Sequence, residues 1–185
     1  MFPKNTISVF ILIIISIANL FSQTEDYATA KNYFTKGQEF YSKVQLDSAL
    51  ANFQKSSAIF KKNEKWANYL TCEYYCGEIH LYNGNFDEAQ KVFENIETVS
   101  NEKIAKNNDI LAAATSSLGK IYFYKADMGM ALNYFDKALL MQQELKGDSS
   151  IEVSNLYNSM GNVFAQMGEY EMALENYNKD IEIKK

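Results

Sequence analysis

The chain has 185 residues, a net charge of −5 at pH 7 and 47% hydrophobic residues. All eighteen basic residues are Lys, so the chain lacks the Arg guanidinium fork that recognises phosphate and guanine. An acidic chain without Arg is poorly suited to nucleic acid, and we expect no nucleic-acid partner.

The N-terminus carries an almost uninterrupted apolar run, Ile7–Ala18, which follows Lys4 and the free amine. The run is shorter than the ~20 residues that cross a bilayer, and its charged start is typical of a secretory signal. We therefore expect residues 1–22 to be a signal peptide, with an uncleaved signal anchor as the alternative. This predicts an exported protein, periplasmic or extracellular, that is membrane-anchored only if the signal is retained. No later stretch is apolar enough to add a membrane contact.

A repeat with a fixed period follows. Three Gly residues are spaced by 42, and an Ala comes twelve residues after each of them: Gly77, Gly119 and Gly161, with Ala89, Ala131 and Ala173. A weaker copy around Gly37 lies forty residues before Gly77. A period in this range predicts stacked repeats of one structural unit.

Within each copy the apolar residues have helical spacing. Tyr157, Met160 and Phe164 mark one face of a first helix, and Ala173 and Tyr177 one face of a second. No stretch alternates apolar and polar residues long enough to indicate a strand. The pattern therefore predicts an all-α protein built from helix pairs.

Helix ends are also marked. Asn85 and Ser149 each precede a Glu by three residues, the spacing of a capping box. Gly residues are expected to end helices or form the turns between them, and one second helix is expected to extend over residues 128–146. The Gly residues in question are Gly84, Gly129, Gly147 and Gly168.

This arrangement of Gly, Ala and aromatic residues resembles the tetratricopeptide repeat from about residue 28 to the end of the chain. The common repeat has ~34 residues, so these copies are about eight longer, similar to those of kinesin light chains and many bacterial multi-repeat proteins. The resemblance implies a right-handed solenoid of about four antiparallel helix pairs over residues 25–185. The repeats are expected at about 28–64, 68–106, 110–148 and 152–185.

The resemblance also implies a function. First helices line the concave groove of such an array, and the groove binds a peptide or protein segment. Two sub-functions of the family are not expected, because the basic carboxylate clamp of chaperone-binding members and the asparagine ladder both lack their residues here. By register, the groove residues are Phe34, Gln38, Tyr41, Tyr74, Glu78, Tyr82, Lys120, Tyr124, Asn158 and Asn162.

Cys72, Cys76 and His80 are spaced by four on one helix, which raises the question of a metal or thiol site. Three ligands that climb a straight helix cannot converge on a tetrahedral ion. Cys76 and His80 also occupy positions that are apolar in the other copies, which favours a core role and reduced thiols. We expect no metal, no cofactor and no enzymatic activity.

The last copy is followed by no polar helix that would cover its apolar face, as solenoids require. We expect a further domain, a partner or a second copy of the chain to cover this face. The leading hypothesis is a protein-interaction scaffold. The alternative is the N-terminal regulatory or sensory arm of a larger signalling or peptidase protein.

Overall fold

The computed structural model describes residues 25–104 and 107–185, so the predicted signal segment lies outside the described residues. The described residues form eight helices and no strand, which confirms the all-α prediction. Helix α1 is described over residues 25–42. The others are α2 (Leu46–Lys62), α3 (Trp66–Tyr82), α4 (Phe86–Lys103), α5 (Asp109–Tyr124), α6 (Met128–Lys146), α7 (Ile151–Met167) and α8 (Tyr170–Ile183).

The chain divides into two compact units, residues 1–72 and 73–185, with the boundary inside α3. The N-terminal unit contains α1, α2 and the first part of α3. The C-terminal unit contains the rest of α3 and helices α4 to α8. No helix in the described part of the chain is long and apolar enough to cross a membrane.

In every helix pair a Gly of the first helix lies against an aromatic ring of the second, sixteen residues later. A Cβ atom added to Gly119 would lie 2.7 Å from two ring carbons of Phe135, and one added to Gly161 would lie 2.6 Å from the Tyr177 ring. Only a residue without a side chain allows the two helices to approach so closely. The same contact joins Gly37 to Phe53 and Gly77 to Phe93.

Successive helix pairs of the C-terminal unit share a buried core. Ala131, Phe135 and Ala138 of α6 pack against Leu156, Met160 and Val163 of α7. Helix α5 contacts both α6 and α7, and α7 contacts α8. This packing places the two first helices, α5 and α7, side by side on one face of the unit.

Five of the helix junctions use the same turn. Each of these junctions contains a residue with positive φ. The N–H of the residue after it donates a hydrogen bond, 2.9 Å long, to the carbonyl oxygen five residues before the donor. Glycine fills this left-handed position at Gly84 (φ 74°) and Gly168 (φ 80°), and Gly147 (φ 85°) ends α6, as predicted. Gly129 is different: it is the second residue of α6, so the prediction of a turn there is wrong. The other left-handed positions are held by Val44, Glu64 and Ala126.

The two predicted capping boxes are not formed as expected. The N-cap of α7 is Ser150, one residue after the predicted Ser149, and its hydroxyl accepts a hydrogen bond from the N–H of Val153 at 3.3 Å. Asn85 is the N-cap of α4, but its side chain makes no capping bond. Its backbone (φ −81°, ψ 65°) is set by the preceding turn, whereas Ser150 has the extended backbone of an effective cap.

Candidate functional site: a groove between two first helices

The C-terminal unit carries two neighbouring hollows along the face where α5 and α7 lie side by side. The first has a volume of about 200 Å³ and the second about 190 Å³. Lys120 of α5 and Ser159 of α7 line both, so the hollows form one surface, here called the α5–α7 groove. The first hollow is also lined by Tyr74, Ser116, Gln142, Glu152 and Asn155, and the second by Phe123, Tyr124 and Asn162.

Four of the predicted groove residues line this groove: Tyr74, Lys120, Tyr124 and Asn162. The Tyr124 ring is 60% exposed and stacks on Phe86, with ring centroids 5.4 Å apart. The side chain of Asn162 is exposed, and its Oδ1 accepts a hydrogen bond from the Tyr177 hydroxyl at 2.8 Å. The groove thus presents aromatic surface and amide groups that are held in place by neighbouring side chains.

Three other predicted residues of this unit do not line either hollow. The Glu78 carboxylate accepts a hydrogen bond from the buried Ser117 hydroxyl at 2.6 Å. The Asn158 amide donates to Asp180 Oδ2 at 3.3 Å. Tyr82 is 71% exposed. Glu78 and Asn158 therefore serve contacts within the fold.

The remaining predicted residues belong to the N-terminal unit. Phe34 packs on Phe53 at 5.5 Å and lines a hollow of about 180 Å³. Tyr41 also packs on Phe53, with ring centroids 6.5 Å apart, and Gln38 is exposed. Two of the three thus support the ring that faces Gly37.

Gln142 lines the α5–α7 groove but is absent from the predicted set. It lies on α6, a second helix, whereas all the predicted groove residues lie on first helices. Its side chain is 5% exposed, and its Oε1 has no hydrogen-bond partner among the described residues. A signal does exist in the sequence: Gln142 continues the buried stripe of Ala131, Phe135 and Ala138, where an amide is out of place.

Of the two charged residues that line the first hollow, Glu152 has an ion-pair partner and Lys120 has none among the described residues. A hydrogen bond from Lys146, whose Nζ is 2.5 Å from Glu152 Oε1, lowers the pKa of the Glu152 carboxyl. In the part of the chain that the structure describes, no ion pair involves Lys120. Lys120 therefore gives the groove one positive charge that no carboxylate of the described residues pairs with.

The cysteines and the histidine lie elsewhere. Cys72 and Cys76 are buried free thiols, and the Cys72 thiol donates to Ser56 Oγ at 3.4 Å. Cys76 is a core residue as predicted, but His80 is only half-buried, and its Nδ1 is buried with no hydrogen-bond partner among the described residues. Within residues 25–104 and 107–185, no cluster of three or more His, Cys, Asp and Glu could hold a metal ion.

Residues 110–185 match the family model of the tetratricopeptide repeat. No curated protein sequence matches the chain significantly.

Solved structures share the fold. The apo form of RapI is similar with a TM-score of 0.77 and 17% identity, over 97% of this chain and 64% of RapI. The Rap conjugation gene regulator of plasmid pLS20, solved with the Phr* peptide, has a TM-score of 0.74 and 20% identity, over 85% of this chain and 42% of the regulator. A putative kinesin light chain of Podosopora anserina with nearly identical TPR-like repeats has a TM-score of 0.66 and 13% identity, over 84% of this chain and 74% of that protein. These likenesses confirm the predicted helical-repeat solenoid.

Proposed function

We propose that the chain, whose residues 110–185 match the tetratricopeptide repeat, is an interaction scaffold whose α5–α7 groove binds an extended peptide segment. One observation carries this proposal: two hollows that share Lys120 and Ser159 run along adjacent first helices. Two structural neighbours support it, because the pLS20 Rap regulator is in complex with the Phr* peptide and another Rap protein with the competence and sporulation factor.

The side chains of the groove suit a peptide. Tyr124 offers a flat, exposed ring, which supplies contact area at a low cost in conformational entropy. Asn155 and Asn162 offer amides that can pair with the backbone of an extended chain. Lys120 adds one positive charge. A peptide that covers both hollows would contact all four residues.

The test is equilibrium binding of a degenerate pool of fluorescent decapeptides to the whole chain. We expect saturable binding that falls at least tenfold in Ser159→Trp, because an indole at this shared position fills both hollows. Asp136→Trp, on the exposed face of α6, is the matched control and should bind as the original chain does. Absence of saturable binding, or equal loss in both variants, would contradict the proposal.

We further propose that α8 forms a contact between two copies of the chain. Tyr170, Leu174 and Ile181 on one face of α8 are 69%, 61% and 52% exposed. Their register counterparts in α6 pack against the α6–α7 core; these are Met128, Leu132 and Leu139. The α8 face therefore has the apolar stripe that in α6 receives another helix.

The exposed residues of α1 favour a two-fold contact between copies over head-to-tail stacking of α1 on α8. Where α7 presents Leu156, Met160 and Val163 to the preceding helix, α1 has Asn32, Lys36 and Glu39, all exposed. Stacking α1 on α8 would bury these polar groups. Two α8 helices that pack antiparallel about a two-fold axis would instead bring the acidic first half of each near the lysines at the end of the other. The charges concerned are Glu169, Glu171 and Glu175, and Lys179, Lys184 and Lys185.

Sedimentation velocity over a wide range of protein concentration tests this contact. We expect a monomer–dimer equilibrium that Leu174→Lys weakens by about tenfold or more, because the change places a charge in an apolar contact. Leu140→Lys is the control, since Leu140 is 68% exposed on α6. A chain that is monomeric at every concentration, or an equal effect of the two changes, would refute the α8 contact.

We also propose that the chain is exported. Its support is the apolar run Ile7–Ala18 after Lys4, which has the composition of a secretory signal. N-terminal sequencing of the protein recovered from its native cells tests this. A mature chain that still begins at Met1 would rule out cleavage.

A further inference from the structure

Gln142 is a buried acceptor without a donor. Its side chain is 5% exposed, and its Oε1 lacks a hydrogen-bond partner within the described residues. A buried polar group in this state destabilises the fold, because the hydrogen bond it had with water is lost and not replaced. Leu or Met would fill the same place without this penalty. The amide therefore lowers the stability of the fold, and no hydrogen bond of its Oε1 within the described residues compensates for this loss.

The position of Gln142 suggests what the amide does. It lines the first hollow of the α5–α7 groove together with Lys120 and Asn155. The hollow has room for ligand atoms, with a volume of about 200 Å³. The side chain of Gln142 borders the hollow, so a rotation of its terminal amide turns the unpaired Oε1 toward a donor of a ligand there.

The positive charge of Lys120, which lines the same hollow as Gln142, indicates which chemical class of ligand would bind there. Lys120 has no ion-pair partner in the described part of the chain, whereas the other charged group of this hollow, Glu152, is held by Lys146 at 2.5 Å. The first hollow thus offers a ligand one free cation and one free acceptor. The complementary ligand carries a carboxylate and an N–H donor close together, which is the chemistry of an acidic residue within a peptide.

We propose that Gln142 and Lys120 form a subsite for an acidic residue of the bound peptide. Gln142 Oε1 accepts a hydrogen bond from a ligand N–H, and the Lys120 ammonium pairs with the ligand carboxylate. This inference rests on the proposed peptide-binding function and adds the chemical class of the peptide. It also assigns a binding role to a second helix, α6.

The first experiment compares three decapeptide pools with identical random flanks and a central Glu, Gln or Lys. Fluorescence anisotropy with the whole chain should show the Glu pool binding about tenfold more tightly than the Gln pool, and the Lys pool binding more weakly still. Lys120→Met should remove the preference for Glu. Equal affinities for the Glu and Gln pools would overturn the proposal.

The second experiment separates recognition from structure. Gln142→Leu should weaken binding of the Glu pool about tenfold while the melting temperature stays the same or rises, because the change removes an unpaired acceptor. Gln143→Leu, one position along α6 and outside the hollow, should leave binding unchanged. If Gln142→Leu lowers the melting temperature or leaves binding intact, the role assigned to Gln142 is wrong.

The outcomes distinguish failure of the acidic subsite from failure of peptide binding itself. Binding of all three pools that ignores both Gln142 and Lys120 overturns the acidic subsite and leaves peptide binding standing. A chain that binds none of the pools overturns both. If Gln142→Leu does not fold, Lys120→Met with the Glu and Gln pools still decides the question.

Discussion

Replacing Gly119 with Ala should lower the free energy of unfolding by about 1–3 kcal/mol, the usual cost of overpacking a well-packed core. The added Cβ would lie 2.7 Å from two ring carbons of Phe135, which is closer than such atoms can approach. The ring is only 2% exposed. To admit the added methyl group, the ring must shift within the core or the helices of the pair must separate. Denaturant unfolding followed by circular dichroism measures the loss.

A second Gly in the same helix pair provides the control. Gly129 lies in the first turn of α6, and the nearest atom to an added Cβ is Asp127 Oδ1 at 3.8 Å. Gly129→Ala should therefore be neutral or stabilise the chain by up to about 1 kcal/mol, because Ala loses less backbone entropy in a helix. An equal loss of stability in Gly129→Ala would show that the loss comes from replacing a helical glycine in general and not from the contact between Gly119 and Phe135.

A double-mutant cycle tests the contact itself. Phe135→Ala alone should cost about 3–5 kcal/mol, since it leaves a cavity in the core. In that background Gly119→Ala should cost almost nothing, because the ring that it would strike is gone. Additive losses would contradict the close approach of α5 and α6 at this point.

The second large effect is expected at Asp180, a carboxylate buried at the end of the last helix pair. It accepts hydrogen bonds from the hydroxyl of Ser154 and the amide of Asn158, and Lys184 Nζ lies 2.6 Å from its Oδ1. Asp180→Ala should lower the free energy of unfolding by about 2–3 kcal/mol, because the buried Ser154 hydroxyl loses a charged acceptor. Chemical denaturation at neutral pH measures this.

The preceding helix pair shows how the loss can be recovered. Ala112 and Ala138, both fully buried, hold the positions that Ser154 and Asp180 hold in the last pair. Removing both polar partners should therefore be nearly neutral, so Ser154→Ala should restore most of the stability of Asp180→Ala. A double variant that is less stable than Asp180→Ala would contradict this reading of the register.

The same site predicts a pH dependence. Burial disfavours the charged form of Asp180, but hydrogen bonds from Lys184 and Ser154, the Lys184 charge and the Asn158 amide outweigh it and lower the pKa. A carboxyl with a lowered pKa stabilises the fold above its ordinary pKa and loses this contribution as the pH falls through the lowered value. Below about pH 4 the original chain should thus lose more stability than the Ser154→Ala/Asp180→Ala variant.

Most of the fold could be predicted because its main determinant is periodic. Gly119 and Phe135 recur with their partners in each copy, so the close helix–helix contact is visible as spacing. The local helix ends were less predictable. Ser149 and Ser150 are neighbours of the same type, and only backbone geometry decides that Ser150 caps α7. Asn85 has the right type and spacing, but its turn prevents the capping bond.

The groove was predictable only in part, for a physical reason. Register assigns a residue to a helix face but not to a contact, so Tyr124 and Asn162 line the groove while Asn158 and Glu78 bond within the fold. Gln142 required knowledge of packing, because an amide on a second helix reaches the groove only where α5, α6 and α7 meet.

Photocrosslinking tests the central claim, that the α5–α7 groove binds a peptide, most directly. A photoreactive phenylalanine derivative replaces Asn162 in the groove or, as control, Asp136 on α6, and each chain is irradiated with the fluorescent decapeptide pool. We expect labelling from position 162 that excess unlabelled peptide suppresses, and little labelling from position 136. Equal labelling from both positions, or none from position 162, would contradict the account.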